Sequence, residues 1–338
     1  MVSRVSFVLP DAEKHWDSVT LDSPHLGGPC VWRAGSWRRQ VAVRQWRVEY
    51  QFVARRGRRR VPLLDPACSR TVSTDFGDRS EWRAPDYTPP RWLDAPAVPG
   101  RLNRIEVPSA LTHPLPAQVW APRGLRARDA APLLVVFDGS SYAGPGQLLQ
   151  WAGAAIESGM PPLRLLLVDA VQRMQWFSGS ERFLRTVDFA IEDVNRRYAV
   201  RGPVGLLGAS LGGLTALLVS ARRDDVGVVV SQSGSFFTEL SDEGDWPWLS
   251  RVRRLVASLR AGEPVWGRRR ASFDDLRVGL TCGRGEDNFG NNRDMATALR
   301  RRGAQVTFAP GRDLHNVIAW RDQWDPLLAD LLTQVWRG

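Results

Sequence analysis

Two rhythms divide the chain. Up to about residue 85, apolar positions come in short β-like runs at 5–9, 30–32 and 46–53, with no convincing helical period between them. The sequence Arg-Arg-Gly-Arg-Arg-Arg at 55–60 separates the last of these from Val61-Pro62-Leu63, and Gly57 marks the tip of a hairpin. Short strands at this spacing predict a small β-sandwich. The segment 84–100, APDYTPPRWLDAPAVPG, is rich in proline and reads as a semi-rigid boundary.

After Gly100 the pattern changes. Runs at 104–107 and 117–120 predict an antiparallel opening pair. Predominantly apolar runs, read as buried strands, follow at 133–137, 163–168, 204–207, 226–231, 276–281 and 306–308. They alternate with helical stretches near 147–158, 181–197, 211–223, 251–260 and 291–302, and 317–336 closes the chain. Apolar strands alternating with amphipathic helices predict an α/β fold, a mostly parallel sheet with helices on both faces. Residues 239–275, heavy in charge and tryptophan, interrupt the alternation and predict an excursion over one sheet edge. The expected domains are therefore 1–95 and 96–338, a length that suits two domains.

Composition narrows the class without naming it. Hydrophobic residues at 43% and charged residues at 24% exclude disorder, collagen and coiled coil. No apolar run is long enough to span a membrane, and the first residues lack the long apolar region of a secretory signal. Three widely spaced cysteines, Cys30, Cys68 and Cys282, form neither a disulfide framework nor a zinc site; a cytoplasmic location and no protein-bound metal are expected. The net charge is +10, and Lys14 is the only lysine, so 45 of the 46 basic residues are arginine. Guanidinium groups stay charged and grip carboxylates, phosphates and aromatic rings. The runs at 55–60 and 251–270 read as solvated faces, and no recognised nucleic-acid module accompanies them, so neither a nucleic-acid nor a membrane partner is expected.

The most informative stretch is Val204-Gly205-Leu206-Leu207-Gly208-Ala209-Ser210-Leu211-Gly212-Gly213. It is G-x-S-x-G in a strand–turn–helix context, which makes Ser210 a candidate nucleophile. The turn is tight enough that side chains at Gly208 and Gly212 are expected to strike neighbouring backbone. A serine nucleophile needs a base, and in this arrangement the chain order is Ser, acid, His. His315 is the only histidine after Ser210, and it lies just past the last predicted strand. The acid belongs on the loop after the penultimate strand, where Glu286 and Asp287 both qualify. An oxyanion hole needs the Leu211 amide and a second donor from the loop after an early strand. Gly139 or Ser140 is the candidate, the missing side chain at Gly139 letting a substrate approach.

With these residues in place the chain resembles the enterobactin (enterochelin) esterases, hydrolases of trilactone siderophores within the α/β-hydrolase superfamily. The resemblance rests on Leu133 through Gly139, on Val168-Asp169-Ala170 with Arg173, and on the Gly208 to Gly213 elbow. Ser231-Gln232-Ser233-Gly234-Ser235-Phe236 and His315 with Trp320-Arg321 complete it. It covers most of 101–325, and more weakly the N-terminal part, where Cys68 follows Asp65-Pro66 in place of the family's asparagine. The resemblance implies an α/β-hydrolase-like catalytic domain after an N-terminal β-sandwich. It implies Ser210, His315 and Glu286 as the triad, because family members often carry a glutamate a few residues past a glycine, as Gly283 and Glu286 stand here. It further implies a substrate with a catechol-bearing lactone, with iron arriving only as part of that siderophore and no resident cofactor. Arg173 would then meet the anionic catecholates, with Trp176 and Trp320 as pocket walls. Two departures stand beside the expected pocket: Arg173-Met174-Gln175-Trp176-Phe177 where members read Arg-x-x-Glu-Leu, and His315-Asn316 where they read His-Asp. Two rivals keep the fold: a hydrolase or acyltransferase of siderophore biosynthesis acting on a hydroxamate peptide or carrier-bound thioester, and a catalytically weak siderophore-binding protein.

Overall fold

The computed structural model describes the chain except Met1, His25, Pro108, Ala110, residues 239–245 and Gly338. The chain forms two compact units, 1–89 with 312–315, and 90–311 with 316–338. The division falls at 89/90 rather than 95/96, because the tail of the proline-rich segment belongs to the second unit. There Trp92 stacks on Trp324 at 5.7 Å, and Gln150 Nε2 donates to the carbonyls of Trp92 and Ala95.

The first unit contains two antiparallel sheets. One joins Ser3–Pro10, Ser36–Val43 and Val31–Arg33; the other is built around the long strand Arg47–Arg56. Phe7, Leu9, Trp37 and Val43 from one sheet and Val19, Leu21, Tyr50 and Phe52 from the other fill one core, as a sandwich requires. The arginine run at 55–60 is the expected hairpin: Arg56 pairs with Arg59, and Gly57 takes φ +57°. The strands missed from the pattern, such as Ser18–Asp22, Ser36–Val43 and Gly77–Arg83, carry polar outward positions that interrupt their apolar ones.

Segment 312–315 is held within this unit by charge. Asp313 Oδ1 accepts from the Arg47 amide at 2.9 Å, and Arg312 pairs with Asp86 at 2.6 Å while lying over the Trp46 ring. The buried Arg47 guanidinium also binds Glu81 at 2.6 Å and Glu49 at 2.9 Å. Burial raises the Glu49 carboxyl above its ordinary range despite Arg47, and Glu81 and Asp313 push it the same way.

The second unit is an eight-stranded sheet whose strands we number β1 (Gly100–Ile105), β2 (Ala117–Pro122), β3 (Leu133–Phe137), β4 (Arg164–Val168), β5 (Val204–Ala209), β6 (Val226–Gln232), β7 (Arg277–Gly283) and β8 (Gln305–Gly311). Their spatial order is β1-β2-β4-β3-β5-β6-β7-β8. Only β2 runs antiparallel to its neighbours. This is the α/β-hydrolase arrangement that the sequence predicts. The helices are α1 (Gly139–Ala143), α2 (Leu148–Glu157), α3 (Arg173–Phe177), α4 (Glu181–Arg197), α5 (Leu211–Ser220), α6 (Leu249–Ala261), α7 (Phe289–Arg301), α8 (Val317–Arg321) and α9 (Ala329–Trp336). Successive β3 residues alternate between two apolar layers. Leu133, Val135 and Phe137 face the layer of α4, α5, α6 and α7, while Leu134 and Val136 face that of α2 and α9. Burial on both faces explains why β3 is apolar throughout.

The predicted closing helix 317–336 is divided. Asp325 precedes Pro326 and has extended angles (φ −113°, ψ 119°), so one continuous helix cannot form. Of the predicted excursion, residues 239–245 lie outside the described residues, and the remainder contains α6. Its arginines are not simply a solvated face. Buried Arg270 donates to the carbonyls of Arg223 and Val226, and Arg251 to those of Ser178 and Gln175. A guanidinium offers five donors in a plane and can close several unpaired carbonyls at once.

Trp324 is the keystone of the α2/α9 layer. It is fully buried, stacks on Trp92 and Tyr142, meets Trp151 edge-on, and donates its Nε1–H to Gln232 Oε1 at 3.0 Å. Trp324→Ala is expected to lower unfolding free energy by about 3–5 kcal/mol, measured by urea denaturation.

Candidate active site

Strand β5 ends where Ser210 begins the turn into α5. Ser210 has φ +56° and ψ −124°, a conformation that costs a side-chain-bearing residue on the order of 1–3 kcal/mol. Neighbouring backbone holds it there. The Ser210 amide donates to the Gln232 carbonyl at 2.8 Å, and the Ser210 carbonyl accepts from the Ser235 amide at 3.0 Å. The glycines around it have distinct reasons. A Cβ at Gly208 would lie 2.5 Å from the Gly212 backbone, as expected, and one at Gly213 would lie 2.4 Å from Ser231 Oγ. At Gly212 the nearest atoms are side chains at 3.2 Å and beyond, so the backbone collision predicted there does not arise.

Ser210 is half-buried, and its Oγ lies 3.3 Å from Ser235 Oγ. It stands at the N-terminal boundary of α5, next to the Leu211 amide. The amides of Leu211 and Gly139 each open a helix, where no intrahelical acceptor exists. Ser140 differs: its amide donates to Asp169 Oδ1 at 3.0 Å and its hydroxyl to the same oxygen at 2.9 Å. That engagement removes Ser140 as an oxyanion donor and leaves Gly139 as the candidate partner of Leu211. The reason for glycine at 139 also changes, because a Cβ there would lie 2.5 Å from Leu167 Cβ. Close packing on β4, rather than room for a substrate, requires it.

Glu286 and Asp287 separate clearly. Asp287 is exposed, whereas Glu286 is buried and its Oε1 accepts from the Gly283 amide at 2.6 Å and the Ser233 hydroxyl at 2.8 Å. The Ser233 hydroxyl in turn accepts from Trp320 Nε1 at 2.9 Å. Gln232, one residue earlier, accepts from Tyr142 Oη at 2.9 Å and Trp324 Nε1, and donates to the Trp320 carbonyl at 2.8 Å. Asn292 and Asn288 hold the Ser233–Gly234 backbone from the other side. The Ser-Gln-Ser-Gly-Ser element therefore ties Ser210, Glu286, Tyr142 and Trp320 into one polar network. The sequence marks this element as distinctive but assigns it no task; buried glutamine and serine at the end of an apolar strand were the available signal.

Arg173 forks onto Asp138 with bonds of 2.7 and 2.6 Å. Asp138 has φ +58° and immediately precedes Gly139, so the fork fixes the turn that presents the Gly139 amide. The Arg173 side chain remains 38% exposed. Trp176 is 2% exposed and stacks on Phe183, so it packs the core and is not a pocket wall. His315 is half-buried in the turn between β8 and α8, on the segment grouped with the first unit. Asn316 beside it caps α8, its Oδ1 accepting from the Ala319 amide at 2.8 Å, which accounts for asparagine at that position. Among the described residues no helix is long and apolar enough to cross a membrane.

The second unit thus has the α/β-hydrolase fold with a serine at its elbow. No family model and no curated protein matches the sequence. Solved structures do. The chain is similar to ferric enterobactin esterase from Salmonella typhimurium at 20% identity and TM-score 0.77, covering 99% of this chain and 94% of that one. Enterobactin esterase from Shigella flexneri, solved in the presence of enterobactin, matches at 20% identity and TM-score 0.75, covering 99% and 93%. A ferulic acid esterase matches at 15% identity and TM-score 0.56, covering 71% of this chain and 99% of that one. At these identities the likeness establishes the fold, including the N-terminal part for the first two.

Burial pushes the Cys282 thiol well up, with Glu286 beside it acting in the same direction, and burial raises Cys30 as well. Raised thiols hold little thiolate near neutrality. Iodoacetamide at pH 8 is therefore expected to label half-exposed Cys68 and spare Cys30 and Cys282 in the folded protein, as read by peptide mass spectrometry. Gly208→Ala forces a methyl group onto backbone, and overpacking of this kind typically costs about 1–3 kcal/mol or more. That variant is expected to lose soluble expression or to melt well below wild type, as read by circular dichroism.

Proposed function

We propose that the protein is a serine esterase that hydrolyses ester bonds of a siderophore, a catecholate trilactone of the enterobactin type. The observation that carries this reading is Ser210, held at φ +56° between β5 and α5 in a chain matched along 99% of its length by enterobactin esterases. Ser210 attacks the ester carbonyl and His315 takes its proton, while Glu286 orients and supports the imidazolium. The amides of Leu211 and Gly139 bind the oxyanion of the tetrahedral intermediate. Collapse expels the alcohol, which takes its proton from His315, and water then resolves the acyl-enzyme by the same steps in reverse. The products are linear catechol-serine esters and, from a ferric siderophore, more weakly held iron.

The exposed part of Arg173 and the ring of Trp320 are the proposed substrate contacts, suited to an anionic, electron-rich ligand. The chemistry needs no resident cofactor, and it fits a cytoplasmic enzyme acting on an imported siderophore. Wild-type protein incubated with a catecholate trilactone is expected to yield linear products by mass spectrometry. Ser210→Ala should lower turnover by at least about 10³-fold with an unchanged circular dichroism spectrum. Undiminished turnover in that variant would refute the assignment.

A further inference from the structure

Ser233 is a strained residue for its position. Its φ is +48°, where glycine fits without strain and other residues cost on the order of 1 kcal/mol. Its backbone is fully engaged, the amide donating to the Thr281 carbonyl at 2.6 Å and the carbonyl accepting from Asn288 Nδ2 at 3.0 Å. Glycine would keep both bonds, so only the hydroxyl distinguishes serine here.

That hydroxyl stands between an indole and a carboxylate. An indole nitrogen can only donate, so Trp320 Nε1, at 2.9 Å, occupies a lone pair of Ser233 Oγ. The single hydroxyl proton is then directed to Glu286 Oε1, at 2.8 Å. With the Gly283 amide at 2.6 Å, Oε1 receives two donors, and the carboxylate cannot rotate without breaking both. The neighbouring Cys282 thiol is kept neutral by burial and donates to Asn288 Oδ1 at 3.5 Å, so it adds no charge beside the carboxylate. All of these groups are buried or half-buried, where an unsatisfied partner is expensive.

We propose that Ser233, with its hydroxyl polarity set by Trp320, is the positioning residue for the triad acid Glu286. This rests on the esterase reading above, and it assigns to the second serine of Ser-Gln-Ser-Gly-Ser a role in catalysis exerted through Glu286. Trp320 accordingly has two faces: a ring offered as a substrate contact and an N–H committed to the acid.

The test uses the full chain and a fluorophosphonate probe, whose labelling rate reports activation of Ser210 without needing the natural substrate. Ser233→Gly removes the hydroxyl and suits the positive φ, so its melting temperature should stay close to wild type. Its labelling rate should fall on the order of tenfold to a hundredfold, less than the roughly 10⁴-fold that mispositioning the base costs when a triad loses its carboxylate. The loss should fall on the first-order labelling constant at saturating probe and leave the half-saturating probe concentration near wild type, because an interaction that acts only on the reacting groups does not change probe binding. Trp320→Phe should reproduce part of the loss, and Ser233→Gly with Trp320→Phe should be no slower than Ser233→Gly alone. A wild-type labelling rate in Ser233→Gly, or a loss carried wholly by the half-saturating probe concentration, overturns the proposal while leaving the esterase reading intact. Additive losses in the double variant overturn the coupling through Trp320. Failure of the wild type to label, with Ser210→Ala as the matched control, overturns the esterase reading and this proposal together.

Discussion

A serine at φ +56° is tolerable only where the surrounding backbone leaves it no alternative. Here the restraint comes from β6: its last residue accepts from the Ser210 amide, and Ser235, three residues further on, donates to the Ser210 carbonyl. The elbow is thus clamped by a strand neighbour and its extension, with Gly208 and Gly213 allowing α5 to lie close enough for the clamp to reach. The same extension then bends through Ser233, itself at positive φ, to meet Glu286 and Trp320. Two strained residues at the ends of adjacent strands concentrate backbone strain at one end of the sheet, where an active site can use preorganisation.

Arginine carries a different meaning in the folded chain from the one its abundance suggests. Arg164 is fully buried and donates to the carbonyls of Ala199, Arg126 and Asp129. Arg270 and Arg251 do similar work beside α6, and Arg222, Arg223 and Arg268 converge on Asp188. Part of the formal positive charge is therefore used inside the fold, as planar donors for loop carbonyls and a buried carboxylate. The exposed hairpin at 55–60 remains as a conventional solvated surface.

The strand–helix alternation of the second unit was legible because every strand from β3 to β7 is buried on both faces, and burial writes itself into composition. The N-terminal strands were harder to read, since a two-sheet sandwich buries only alternate residues and several of its strands span five residues or fewer. Short helices at Gly139–Ala143 and Arg173–Phe177 were missed because five residues carry no periodicity. At the site, chain order pointed to Ser210 and His315, whereas the choice of Glu286 over Asp287 from the residues alone needed burial. Ser140 and Trp176 failed for one reason: a residue's type says what it can bind, while its neighbours, Asp169 and Phe183, decide what it does bind.

The segment 312–315 leaves the α/β sheet after β8, is counted with the first unit, and returns to begin α8. The two units are therefore interleaved in sequence, and no single cut separates them. A chain beginning at residue 90 would keep Arg312 and Asp313 while losing Asp86, the Trp46 ring and the Arg47 amide that engage them. An arrangement of this kind binds the inheritance of the two parts: exchange of the N-terminal unit between homologues would have to carry a matching quartet from the far end of the chain.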